Sequence, residues 1–340
     1  MNKKEIIALQ KFLPQKNIVI VTHKNPDGDA LGSSLALYGY LKKITPSVRV
    51  IVPNEFPHYF KWMPYADTIL NFDTHKDEAT QLLQQADLIF TLDFNHFSRV
   101  GADMQQVLET TSAVKVMIDH HLEPDNYAKF VYSDSNMSST AQMIYHFIEM
   151  MDDLELIDEE IATNMYTGIM TDTGSFRYRS TTATTHRIIA SLIERGANNT
   201  EIHQKIYDTN SYHRLQLLAT ALNQLVVFPD YRTAYLILDK KSLEKHHVKK
   251  GDYEGFVNYA LSIESIVLAA IFVETPDENF VKISFRSKGT FSVNEFARMH
   301  FHGGGHTNAA GGKSFDTLEQ TVKKFIASLD TYKKQLTDEN

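Results

Sequence analysis

Short apolar, β-branched runs that each stop on a histidine or an aspartate constrain this chain more than any other feature. Asn17-Ile18-Val19-Ile20-Val21-Thr22 ends at His23, Asp87-Leu88-Ile89-Phe90-Thr91-Leu92 ends at Asp93, and Val114-Lys115-Val116-Met117-Ile118 ends at Asp119-His120-His121. Runs of this length and composition read as strands buried on both faces. Val48-Arg49-Val50-Ile51-Val52 reads as another, and helical stretches lie between them. Strands alternating with helices predict an α/β domain with a parallel sheet, whose ligands gather outside the carboxyl ends of the strands. A hydrophobic core alone gives no reason for a histidine or an aspartate to follow each run.

Other segments supply further donors. After His23 the turn-forming Asn25-Pro26-Asp27-Gly28 leads into a helix expected to open at about Asp29, with small residues in Ala30–Tyr38 that permit close packing. Asp172, in Met170-Thr171-Asp172-Thr173-Gly174, follows a helical run from Glu159 to Met170 and has to be brought back to the same sheet edge. His23, Asp27, Asp29, Asp93, His120 and Asp172 are thus the candidate metal ligands. Taken singly, each has an ordinary explanation; for Asp29 it is helix capping. Taken together, they are hard oxygen and imidazole donors that suit Mn²⁺ or Mg²⁺. Two such ions about 3.5–4 Å apart can clamp the attacking and leaving oxygens of a phosphoryl transfer.

With 340 residues the chain is expected to form two domains. The pattern changes to turn residues at Gly196-Ala197-Asn198-Asn199-Thr200, so we expect a first domain over 1–195, a linker over 196–214 acting as a hinge, and a second domain over 215–340. The second domain also reads as α/β. Its strand candidates are Thr233–Leu238, Ser265–Phe272 and Phe280–Phe285, and a helix over Leu318–Leu329 closes it. The net charge of −8 disfavours a long polyanion as partner, so no long duplex nucleic acid is expected. No cysteine is present, which excludes disulfides and zinc–thiolate sites. Neither a signal peptide nor a membrane span is read from the sequence, and a cytoplasmic enzyme with no membrane partner is expected.

In this order His23-x-x-x-Asp27-x-Asp29, the isolated Asp93, Asp119-His120-His121 and the late Asp172 resemble the motifs of the DHH family of phosphoesterases, and the resemblance covers nearly the whole chain. It implies that His23, Asp27 and Asp93 hold one divalent ion, Mn²⁺ before Mg²⁺. Asp29, Asp93, His120 and Asp172 would hold a second, with Asp93 bridging. Asp119 would orient a neighbouring imidazole, and His121 would face the scissile phosphate. The glycine-rich Phe301-His302-Gly303-Gly304-Gly305-His306-Thr307-Asn308-Ala309-Ala310-Gly311-Gly312, with Arg286, resembles the signature of the DHH-associated C-terminal domain. That domain would bind substrate through Arg286, His306, Gly304 and Gly305, with a cleft between the two domains. For this loop the bland alternative is a plain flexible turn.

Within the family, the length, acidity and glycine-rich signature favour hydrolysis of very short oligonucleotides, linear dinucleotides such as pApA, and 3′-phosphoadenosine 5′-phosphate. The alternatives are an exopolyphosphatase or pyrophosphatase, and a nucleotide-binding regulator without turnover. The resemblance also suggests a homodimer. Weaker signals stay open: Arg99 suits the cleft or the surface equally, and Ser138-Ser139-Thr140-Ala141 suits substrate contact or helix capping. Trp62 reads as core, and His246-His247 as surface. Gly312-Lys313-Ser314 is no P-loop, since Thr307 stands where a glycine is required. Asp27–Gly32 is no calcium loop, since Leu31 offers no oxygen.

Overall fold

The computed structural model describes residues 1–14, 16–248, 251–274 and 279–338. The chain divides into two compact units, Met1–Thr209 and Asn210–Asn340. In the first unit, β1 (Asn17–Thr22), β2 (Ser47–Val52), β3 (Leu70–Asn71), β4 (Leu88–Leu92), β5 (Val114–Asp119) and β6 (Phe130–Ser133) form one sheet in the order β3-β2-β1-β4-β5-β6. Every neighbouring pair is parallel. The order reverses between β1 and β4, and in open α/β sheets that reversal opens a crevice at the carboxyl ends of the strands. His23 follows β1 and Asp93 follows β4, so the first two donors flank the reversal.

The helices of this unit are α1 (Lys3–Phe12), α2 (Gly28–Leu41), α3 (Lys76–Gln85), α4 (Ala102–Thr110), α5 (Thr140–Met150), α6 (Glu159–Asp172), α7 (Ala183–Glu194) and α8 (Asn199–Tyr207). Every residue of α2 is buried, as expected for a helix covered on all sides. Its approach to α6 depends on glycine. A Cβ at Gly32 would stand 2.6 Å from the Asn164 carbonyl oxygen and 2.8 Å from the Gly168 Cα. The two backbones therefore touch, and that contact carries Asp172 to the sheet edge. Asp172 is the last residue of α6 rather than a residue beyond it. Helix α8 lies within the 196–214 stretch and packs Ile202 into the core of the first unit.

In the second unit, β7 (Val226–Phe228), β8 (Thr233–Leu238), β9 (Leu268–Glu274), β10 (Val281–Ser287), β11 (Gly304–His306) and β12 (Ala309–Ser314) form a sheet in the order β11-β12-β10-β9-β8-β7. Among the described residues only β8 and β9 pair in parallel there. Its helices are α9 (Tyr212–Asn223), α10 (Lys240–Lys245), α11 (Val257–Leu261), α12 (Val293–His300) and α13 (Leu318–Thr337). β10 alternates: Val281, Ile283, Phe285 and Ser287 are buried, while Lys282, Ser284 and Arg286 face the other side.

Several expectations need correcting here. The strand expected from Ser265 starts at Leu268, because the Ile266 N–H closes a turn onto the Ile263 carbonyl. The closing helix runs on to Thr337. The glycine-rich segment is a β-hairpin, not a loop. Glycine is required within it, since a Cβ at Gly303 would stand 2.0 Å from the Gly311 carbonyl oxygen and one at Gly305 2.5 Å from that of Ala309. His246 is buried, with its ring 2.9 Å from the Thr220 hydroxyl. No helix among the described residues is long and apolar enough to cross a membrane.

Candidate metal centre

The backbone at each strand end aims the donors inward. Asp93 leaves β4 with φ +64, a left-handed conformation that aspartate tolerates better than most residues. Its N–H donates to the Ile118 carbonyl of the adjacent β5. The sharp exit puts its carboxylate between two imidazoles. Asp93 Oδ2 stands 3.3 Å from His23 Nε2, and Oδ1 stands 3.5 Å from His120 Nε2.

The other carboxylates close in from α2 and α6. Asp27 caps α2, its Oδ1 accepting from the Asp29 and Ala30 N–H groups. The capping role that Asp29 could have filled thus belongs to Asp27, which lies 4.0 Å from His23 Nε2. Asp29 Oδ2 and Asp172 Oδ2 stand 3.8 and 3.6 Å from His120 Nε2. The donor atoms form two groups, His23–Asp27–Asp93 and Asp29–His120–Asp172, each with all atoms within 4.8 Å of one another. Asp93 belongs to the first group and turns its second oxygen to the other.

Both candidate-ligand imidazoles are oriented by backbone. His23 Nδ1 lies 3.0 Å from the Lys24 carbonyl, and His120 Nδ1 lies 3.2 Å from that of Met137. With Nδ1–H donating, Nε2 faces the carboxylates, and loss of a proton there would leave its lone pair for a metal, as a metal-ligating histidine requires. Asp119, fully buried, accepts from both the backbone N–H and Nδ1 of His121, at 3.0 and 2.7 Å.

The segment before and at the start of α5 holds this arrangement through Met137, Thr140 and Ala141, in a way the sequence did not disclose. The Ser139 side chain caps the helix through the Gln142 N–H. The Thr140 and Ala141 N–H groups donate to Asp29 Oδ2 and Oδ1 at 2.6 and 2.8 Å. The Thr140 hydroxyl donates to Asp93 Oδ1 at 3.0 Å. The only signal in the sequence was a run of hydroxyl residues before a helix, which capping explains equally well.

The electrostatics fit a cation. Burial, and then the charges of Asp93 and Asp172, hold the Asp29 carboxyl well above the usual carboxylate range. Burial and the charges of Asp27 and Asp93 push Asp172 up to about 6 against the pull of His120. Burial would raise Asp93 too, but hydrogen bonds from His120 and His23 prevail and hold it well below its ordinary value. Burial would lower His23 and His120, yet their bonds to Asp93 and the surrounding carboxylates raise both, His120 strongly. Buried carboxylates this close repel one another until positive charge arrives. Oxygen and imidazole donors without a thiolate make the centre one for hard divalent metal ions.

Among the remaining candidates, Arg99 has an exposed side chain, and its carbonyl accepts from the Lys24 N–H at 2.8 Å, tying the loops after β4 and β1 together. Trp62 is half-buried and packs against the core. In the second unit, Arg286 and His306 both pair in register with Ala309, so they share one face of the sheet with a small residue between them. Arg286 Nε is buried with no hydrogen-bond partner. Gly304 differs from its neighbours: the nearest atom to a Cβ there would be 3.5 Å away, so packing does not demand a glycine.

Comparison with known proteins agrees in both units. The DHH family, N-terminal domain, matches residues 17–169, and the DHHA1 domain matches residues 231–335. The chain is 29% identical to the probable bifunctional oligoribonuclease and PAP phosphatase NrnA of Streptococcus mutans, over 92% of this chain and 94% of that protein. It is 31% identical to the bifunctional oligoribonuclease and PAP phosphatase NrnA of Thermus thermophilus, over 92% of this chain and 89% of that protein. Among solved structures, an exopolyphosphatase-related protein from Bacteroides fragilis superposes with a TM-score of 0.94 at 39% identity, covering 99% of this chain and 98% of that one. RecJ from Thermus thermophilus in complex with Mn²⁺ shares the fold, with a TM-score of 0.58 at 15% identity over 99% of this chain and 55% of that one.

Proposed function

This chain belongs to the DHH family and is a hydrolase of phosphoester bonds, and from that premise we propose that it converts very short oligonucleotides and linear dinucleotides such as pApA to mononucleotides, and 3′-phosphoadenosine 5′-phosphate to AMP and phosphate. The observation that carries this reading is the pair of donor groups joined through Asp93 at the strand-order reversal. His23, Asp27 and Asp93 would hold one ion, and Asp29, Asp93, His120 and Asp172 the other, Mn²⁺ being favoured. Bound there, two divalent ions would supply a nucleophile at neutral pH and neutralise the phosphoryl oxygens. Asp119 holds the His121 ring by Nδ1, and as an imidazolium His121 would donate its Nε2 proton to the leaving oxygen. Arg286 and His306, with Gly304 and Gly305 beside them, are proposed to grip substrate phosphate, and Arg99 to contribute from the loop after β4. The relatives named for oligoribonuclease and PAP phosphatase activity support the substrate class.

A second reading is hydrolysis of inorganic polyphosphate, favoured by the exopolyphosphatase-related description of the Bacteroides fragilis protein. One assay separates the readings: product analysis with Mn²⁺, offering pApA, a short RNA, 3′-phosphoadenosine 5′-phosphate, pyrophosphate and polyphosphate in parallel. AMP from the adenylate substrates with the inorganic ones intact is the expected result. Turnover of the inorganic substrates alone would replace the first reading with the second, and ligand binding without turnover would identify a regulator.

Metal removal gives an independent check. A ligand that binds only the folded state at about 100 times its Kd stabilises by about 2.7 kcal/mol. For a unit of this size that is a rise in Tm of roughly 5–10 °C. Mn²⁺ is expected to produce such a rise and EDTA to reverse it. A melting curve indifferent to both would leave the donor cluster without its ions.

A further inference from the structure

The segment Met137–Ala141 grips the ligands of one proposed ion through three residues, Met137, Thr140 and Ala141, and no bond among those described runs from it to the exclusive ligands of the other. The Met137 carbonyl accepts from His120 Nδ1 at 3.2 Å. Both Asp29 oxygens accept N–H groups, from Thr140 and Ala141. The Thr140 hydroxyl bonds Asp93 Oδ1, the oxygen that stands toward His120, and not Oδ2, which stands toward His23. Asp172, the remaining member of the second group, is carried by α6. His23 is instead oriented by Lys24, and Asp27 by the start of α2.

We infer that this segment is the support of the second ion's site, and that the Thr140 hydroxyl is the positioning group that fixes the bridging carboxylate for that ion. The inference rests on the two-ion reading above. Thr140 is fully buried, its amide and its hydroxyl point at two different carboxylates, and its hydroxyl has a bonded acceptor. The hydroxyl gives Asp93 Oδ1 a fixed direction while a lone pair remains for a cation. Partners of this kind are typically worth about 10–100-fold in metal affinity. A selective loss is therefore expected, because the hydroxyl touches the shared carboxylate only on its second-ion side. Ser138 and Thr185 extend the support, both donating to the Gln142 side-chain oxygen, at 2.6 and 2.9 Å.

The test is a calorimetric Mn²⁺ titration of the full chain, with Mn²⁺ paramagnetic resonance reporting exchange coupling between paired ions. Thr140→Val keeps the shape and removes the hydroxyl; Thr140→Ser keeps the hydroxyl. The wild type should bind two ions. Thr140→Val should weaken the second by about 10–100-fold, hold the first within about threefold, and lose the coupled signal until Mn²⁺ is raised. Thr140→Ser should restore both readouts, and kcat for Thr140→Val should recover at high Mn²⁺. Equal weakening of both ions, or of neither, overturns the inference while the two-ion reading stands. A wild type that binds fewer than two ions overturns that reading instead. Should Thr140→Val fail to fold, Thr140→Ala is read by the same titration.

Discussion

Asp93→Asn is expected to reduce turnover of pApA at saturating Mn²⁺ by more than about 10³-fold, since an outer partner of a ligand alone is worth about 10–100-fold and Asp93 serves both donor groups. The substitution isolates charge from shape. Asparagine accepts the left-handed backbone that Asp93 adopts at φ +64, and its carbonyl oxygen can still accept from the Thr140 hydroxyl. The other oxygen becomes an NH₂ that only donates, so the side chain can no longer offer one oxygen toward His23 and another toward His120. The Mn²⁺-dependent rise in Tm should shrink with the activity while the circular dichroism spectrum stays that of the wild type. A variant that keeps activity within tenfold, or keeps the full thermal response, would show that Asp93 does not join the two groups.

How far the sequence alone led depends on whether a feature is local. The strand ends were legible because β-branched runs stopped by His23, Asp93 and Asp119 combine a strand signal with a chemical one at adjacent positions. The parallel sheet followed from the alternation of elements. That Asp172 returns to the sheet edge was expected, but the means was not legible, because it depends on α2 and α6 touching at Gly32, more than a hundred residues away in sequence. Thr140 was equally hidden: its partners Asp29 and Asp93 are distant in the chain, and a hydroxyl before a helix is explained by capping first. The hairpin at Gly304–His306 escaped notice because glycine is a poor strand former. Its glycines serve cross-strand contact, which no local pattern reports. The burial of His246 came from Thr220, on a different helix.

Gly32→Ala should show how tightly that helix contact governs the centre. On propensity alone the change favours α2 by about 1 kcal/mol. Packing opposes it: the nearest atoms to the new Cβ are all backbone, the Asn164 oxygen at 2.6 Å and the Gly168 Cα and N at 2.8 Å. Backbone cannot rotate aside, so α6 must move, and overpacking of this kind typically costs about 1–3 kcal/mol, occasionally more. The expected balance is a lower Tm. Moving α6 also moves Asp172 away from His120 and Asp29, and a misplacement of about 1 Å can cost about 10²-fold in rate. Gly39→Ala, on the same helix, is the control. Its Cβ would meet Ile161 Cγ1 and Tyr65 Cε2, both at 2.8 Å, and these are side-chain atoms that can yield. There kcat should stay within about threefold, because the outer end of α2 can adjust without shifting Asp172. If the two variants prove equally stable and equally active, the α2–α6 backbone contact is not what sets the position of Asp172. A large loss at Gly32 alone would mean that the geometry of the centre is set by two helices pressed together where no side chain fits.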